Sequence, residues 1–291
     1  QMGEGWSDFL GLVLTHDQNR SIQRTRGMGP YIRFTPVDGP GIRTTRYSPD
    51  MSINPTTYGT TALGTLSVPH GIGYAWATAL WEVYWNLIDK HGFNQNVYDS
   101  WDTGGNNLAI QLVMDGMKMQ PCRPGFVTGR NAILQADDVL TGDGTAGSGA
   151  NQCAIWRGFA KRGLGFSASQ GSVNLVSDNV EAFDMPPLCQ AAIAVSPSLL
   201  TATQVQESST SQALQITNAT ADDGLDLNWT ITETATDCST PSDLPWISVS
   251  PTAGIAPAGD TNQTLVTFNA AGLDVGTYTG KLCIAGAGSA P

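Results

Sequence analysis

The sequence predicts a multi-domain α + β chain, with a mainly helical first part and an all-β second part. Three observations lead there. Long apolar runs at helical spacing are confined to roughly the first 185 residues, short alternating runs fill the last hundred, and composition turns sharply at MPPLCQAAIAVS, residues 185–196. We place the boundary so that one domain spans 1–187 and the other 188–291. A chain of 291 residues is long enough to give each domain its own core.

The elements follow in order. From Glu4 the apolar residues Trp6, Phe9, Leu10, Val13 and Leu14 fall at helical spacing, one stripe of an amphipathic helix. Glu4 and Asp8, four apart, share one side of that helix with no Lys or Arg between them. Residues 27–69 are rich in Gly, Pro and Thr and read as a long irregular surface segment, a length usually kept for function. HGIGYAWATALWEVYWNLIDKHGF, residues 70–93, predicts a long helix with Tyr74, Leu80, Trp81, Tyr84, Trp85 and Ile88 inward, closed by His91-Gly92. Three more helices are expected over 106–120, 129–140 and 151–165. Past residue 190 the helical period vanishes. IAVSPSLL, ALQITNA, LNWTITE, WISVSP, TLVTFNA and GTYTGKLCIAG read as the strands of a sandwich.

Composition narrows the function. Lys and Arg number 14 against 25 Asp and Glu, a net charge of −11, which argues against nucleic acid or an anionic membrane as partner. No apolar run approaches the ~20 residues of a membrane span. The cysteines Cys122, Cys153, Cys189, Cys238 and Cys283 form no CxxC pair, so a cysteine zinc site is not expected. Few Lys, many Gly, Thr and Asn, and scattered cysteines suit a secreted protein with disulfides. Cys238 and Cys283 are expected to pair within the β domain and Cys122 with Cys153, leaving Cys189 over. N-x-S/T triplets at Asn19, Asn218, Asn228 and Asn262 arise easily in Thr-rich sequence and carry little weight.

Glu4 and Asp8 by themselves read as first-turn acids at a helix N-terminus. Their surroundings say more. GEGWSDFLGLVLTH resembles the third-ligand helix of the gluzincin zinc metallopeptidases, and most closely the fungalysin family. VPHGIGYAWATALWEVYWNLIDKHGF, GIRTTRYSPDMSINPTTYG, DGMKMQPCRPGFVTGRNAILQAD and NQCAIWRGFAKRGLGFSA are similar to further segments of that family, covering residues 1 to about 185. The resemblance implies the mainly α-helical C-terminal lobe of a gluzincin peptidase, acting on extended polypeptides outside the cell. It makes Glu4 a zinc ligand, and it makes Asp8 the acceptor of a hydrogen bond from a zinc-bound histidine, fixing that ring. His70 becomes the donor that stabilises the tetrahedral oxyanion. His16 and His91 read as structural, Glu82 as a buried hydrogen-bonding partner, and Arg43 and Arg46 as holding their own loop.

The family's HExxH motif, source of two zinc-binding histidines and the general base, is not in this sequence; no histidine here is followed by Glu. The resemblance places it upstream of Glu4, so this chain alone is expected to be inactive. A missing N-terminal lobe or a neighbouring subunit would then complete the site and cover apolar surface around Trp6 and Phe9. The competing expectation is a processed, inactive fragment with a structural, adhesive or filament-forming role.

The second domain holds no histidine. LPWISVSPTAGIAPAGDTNQTLVTFNAAGLDVGTYTGKLCI resembles the immunoglobulin-like, BACON-similar modules appended to secreted bacterial hydrolases, which implies an all-β immunoglobulin-like sandwich. ADDGLDLN, residues 221–228, invites a structural calcium ion, but it lacks EF-hand spacing and a closing Glu and reads as a solvated turn. A carbohydrate-binding role for this domain would rest only on exposed aromatics such as Trp229 and Trp246, and Trp246, standing before an alternating run, reads as core. AGAGSAP reads as a linker.

Overall fold

The computed structural model describes residues 1–16, 24–36, 38–220 and 223–288. The chain divides into two compact units, meeting in sequence at Pro186 and Pro187.

The first unit is helical. Its elements are α1 (Met2–Leu14), α2 (His70–His91), α3 (Gly105–Met119), α4 (Phe126–Thr141) and α5 (Gln152–Lys161). Helix α2 is the central rod: every residue from Gly71 to Trp85 is buried. A helix apolar on all sides must be surrounded, and α1, α3 and α5 all pack on it. Trp76 meets Trp6 edge-on and lies nearly parallel to Phe159, while Tyr84 takes Phe9 edge-on and stacks on Trp81. Offset and edge-to-face geometries of this kind add to the area these rings bury. Trp6 is 8% exposed and Phe9 fully buried, which corrects the expectation of apolar surface left open around them: α2 itself covers them.

Among the described residues between α1 and α2, the helical turns are short 3-10 ones at Pro30–Arg33 and Gly59–Leu63. Buried charge pins this stretch. Arg162, 1% exposed, donates to the carbonyls of Ser48, Asn54 and Thr56 and forks onto Glu82 of α2. Lys161 completes this cluster by donating to Glu82 and to the Pro49 carbonyl. Burial pushes the Glu82 carboxyl above the ordinary range, with the two cations pulling the other way.

The second unit is two antiparallel sheets sharing one core. Strands β1 (Ile193–Ser196), β2 (Ser209–Asn218), β4 (Ile247–Ser250) and β6 (Thr261–Asn269) form a sheet in the order β1-β2-β6-β4. Strands β3 (Leu227–Thr234), β5 (Ala253–Ala256) and β7 (Lys281–Gly288) form the other, in the order β5-β3-β7. Alternation decides which side chains enter: Leu214 and Ile216 of β2 and Val266 of β6 meet Leu227, Trp229 and Ile231 of β3. Strand β5, AGIA, has no alternating signal in the sequence and escapes the reading there. Trp229 is 2% exposed and donates from Nε1 to Asn262. Trp246 is half-buried, parallel to Phe268. Asn218, wholly buried, donates to the carbonyls of Leu225 and Ala256, so a glycan there is ruled out by packing. Asn19 and the first two acidic-turn positions, 221 and 222, lie outside the described residues.

The cysteines require a correction. Cys238 and Cys283 are joined by a disulfide. Cys153 is also disulfide-bonded, but Cys122 is a free, exposed thiol, so the expected Cys122–Cys153 pair does not form. Cys189 is not left over; it too is disulfide-bonded. Sequence proximity misled because Cys122 sits in an exposed turn after α3 whereas Cys153 is fully buried on α5.

Candidate functional site

Two glycines build the site. Helices α1 and α2 cross so closely that a Cβ on Gly73 would lie 2.5 Å from the Glu4 Cβ and 2.7 Å from the Gly5 nitrogen. That approach carries Glu4 to the head of α2, where His70 Nδ1 stands 2.7 Å from Glu4 Oε2. A carboxylate only accepts, so the proton in that bond resides on Nδ1. The pair faces outward: the His70 side chain is 60% exposed and that of Glu4 36%.

One turn further along α1 the character changes. The Asp8 side chain is 5% exposed and is held by a fork from Arg43, Nε to Oδ2 at 2.6 Å and Nη2 to Oδ1 at 2.7 Å. A two-point guanidinium–carboxylate contact fixes both direction and plane. Tyr47, fully buried, donates its hydroxyl to Asp8 Oδ2. Burial and the Asp8 charge push the Tyr47 phenol well up, so it remains a donor, and the Asp8 bond raises the Arg43 guanidinium further. Arg43 Nη2 also lies 3.8 Å from Glu4 Oε2, joining the two carboxylates through one cation.

Glu4, Asp8 and His70 are thus brought to one face. The sequence reading leaves Arg43 holding its own loop; instead it holds α1. Tyr47 is missed altogether, because both residues sit in an irregular segment where no periodicity marks which side chains turn inward. His16 is enclosed by Trp81, Tyr84, Trp85 and Phe93, with Nδ1 2.6 Å from the Tyr84 hydroxyl. His91 bonds Asn151 at 2.5 Å. Arg46 reaches the Asp38 carbonyl at 3.4 Å. Among the described residues no three of His, Cys, Asp and Glu converge to hold a metal ion. Glu4 itself is partly exposed at the side chain.

The fold and site define a helical unit with a carboxylate–imidazole pair at the crossing of its first two helices. The family model for fungalysin metallopeptidases matches residues 1–168, and the chain belongs to that family. It is 45% identical over 181 residues to an extracellular metalloproteinase of Pyricularia oryzae, covering 59% of this chain and 27% of the relative. A counterpart from Neosartorya fischeri is 48% identical over 181 residues, 60% of this chain and 26% of the relative. The chain thus spans about a quarter of the length of these curated relatives. Among solved structures, WR4, a C. elegans MSP family member, aligns at a TM-score of 0.24 and 15% identity over 34% of this chain and 74% of its own, too slight a likeness to argue from.

Proposed function

We propose that this chain is the C-terminal part of the catalytic region of a secreted zinc metalloendopeptidase, followed by an immunoglobulin-like module, and that the longer protein hydrolyses peptide bonds in extended polypeptides. Family membership supports the chemistry, since fungalysins are zinc-dependent. The relatives, named as extracellular enzymes, support secretion. The observation that carries the reading at the level of residues is the meeting of Glu4 and His70 across the α1–α2 crossing. In this reading Glu4 is one zinc ligand, Asp8 accepts a hydrogen bond from a zinc-bound histidine, and His70 donates to the oxyanion. The remaining ligands and the general base come from an HExxH segment outside this sequence. A structural calcium in the β unit has no support beyond the acidic turn.

The test is hydrolysis of an unfolded polypeptide by the longer protein. Activity abolished by a chelator, restored by zinc, and lowered on His70→Ala about 100-fold or more in kcat is expected. Unchanged hydrolysis in the presence of chelator would remove zinc from the mechanism. Absence of hydrolysis in a folded, zinc-loaded protein would favour a structural role outside the cell.

A further inference from the structure

The Asp8 carboxylate has four lone-pair positions on its two oxygens. Among the described residues, Oδ2 accepts from both Arg43 Nε and the Tyr47 hydroxyl, and Oδ1 accepts from Arg43 Nη2 alone. Oδ2 is therefore saturated, and Oδ1 keeps one position for a further donor. We propose that Tyr47 is a positioning residue: with the plane of the Asp8 carboxylate already set by the Arg43 fork, its buried hydroxyl closes Oδ2 and leaves Oδ1 as the oxygen that can receive a donor from the site.

The placement of Tyr47 does not depend on Asp8. Its backbone is paired with Arg26 in an antiparallel bridge, N–H to carbonyl in both directions at 2.7 and 2.8 Å. Arg26 in turn donates to the Leu12 carbonyl and to Thr15 at the far end of α1. The Tyr47 ring packs on Tyr74 of α2 with centroids 5.1 Å apart, and the Tyr74 hydroxyl is engaged by Thr45. The hydroxyl is thus delivered from a scaffold tied to both helices. Without it, the fork still holds the carboxylate plane but Oδ2 keeps an open position, which competes with Oδ1 for a donor from the site. What Oδ1 receives rests on the peptidase reading; what holds Asp8 rests on the contacts above.

Tyr47→Phe removes one oxygen and keeps the ring packing. In the 291-residue chain the readout is hydrogen exchange at the Arg43 Nε–H by nitrogen-15 NMR. We expect exchange about tenfold faster in the variant, as one charge-assisted bond in the shared network is lost; an unchanged rate would overturn the proposal. Should the variant not fold, the unsubstituted chain still decides. A slowly exchanging Tyr47 hydroxyl proton with a cross-peak to the Asp8 β-protons is expected, and its absence is contrary. In the longer peptidase, Tyr47→Phe should lower kcat about tenfold with KM little changed and hasten zinc loss to a chelator; lowered stability with kcat intact would make Tyr47 merely structural. An unsubstituted longer protein without activity would remove the peptidase reading, and the two NMR measurements would still judge Tyr47.

Discussion

Asp8 shows how one residue's meaning depends on partners far along the chain. It lies one turn from Glu4, and from sequence the two look alike. In the fold one is 36% exposed at the side chain and the other is enclosed, because residues 43 and 47 return to cover the second and not the first. Truncating Arg43 to Leu would leave the Asp8 charge enclosed without its fork, a loss of about 3–5 kcal/mol. Urea unfolding of Arg43→Leu should show it, and a change below about 1 kcal/mol would mean the fork is not made. At Cys122 the expectation is chemical. Under denaturing conditions a thiol-specific chromophore should titrate one thiol in the unsubstituted chain and none in Cys122→Ser, whereas a paired Cys122 would release its partner on substitution and the variant would titrate two.

Among the elements, the α1–α2 crossing carries the site. Gly5 and Gly73 are there because backbone must pass backbone, and no larger residue fits between Gly73 and Glu4. Gly73→Ala should force the helices apart, costing roughly 1–3 kcal/mol from overpacking and breaking the Glu4–His70 hydrogen bond. Thermal unfolding measures the first and the loss of the bonded His70 Nδ1–H resonance the second. A variant with wild-type stability and that resonance intact would show the approach to be looser than described.

This is also where legibility from sequence ends. The helix over 70–91 could be read because apolar periodicity and the His91-Gly92 stop coincide, the one over 105–119 from its apolar run, and the carboxylate pair followed from helix spacing. Arg43, Tyr47, Arg162 and the Cys122 correction were not readable. Each depends on where an irregular loop lies in space, which local pattern does not encode, and β5 is too short and small-residued to alternate visibly.

At the scale of the molecule, two units with separate cores make separate demands. The β unit buries its core between two sheets and closes a long loop with Cys238–Cys283, 45 residues apart in sequence. Removing that bridge by Cys238→Ser with Cys283→Ser should cost about 2–4 kcal/mol, read as a lower unfolding midpoint of this unit. Acid should weaken both units. Asp50, Asp143 and Asp237 accept bonds from Ser52, Thr145 and Ser239 that hold their carboxyls below the ordinary value. A folded pKa below the unfolded one gives stability that is present above the ordinary carboxylate range and is lost as pH falls through the folded value. The urea midpoint should therefore drop as pH falls below about 5, and drop less when all three are changed to Asn. Equal acid sensitivity in the triple variant would assign the effect elsewhere.

The proposal that Glu4 is a zinc ligand stands or falls on metal content. Zinc would be counted by elemental analysis in a protein joining this chain to an HExxH segment, as the proposed function requires, unsubstituted and as Glu4→Gln, after identical dialysis. About one zinc per molecule in the first and a small fraction of that in the second is the predicted result, since losing one of three protein donors opens the coordination shell. A folded Glu4→Gln protein that keeps a full equivalent would contradict it.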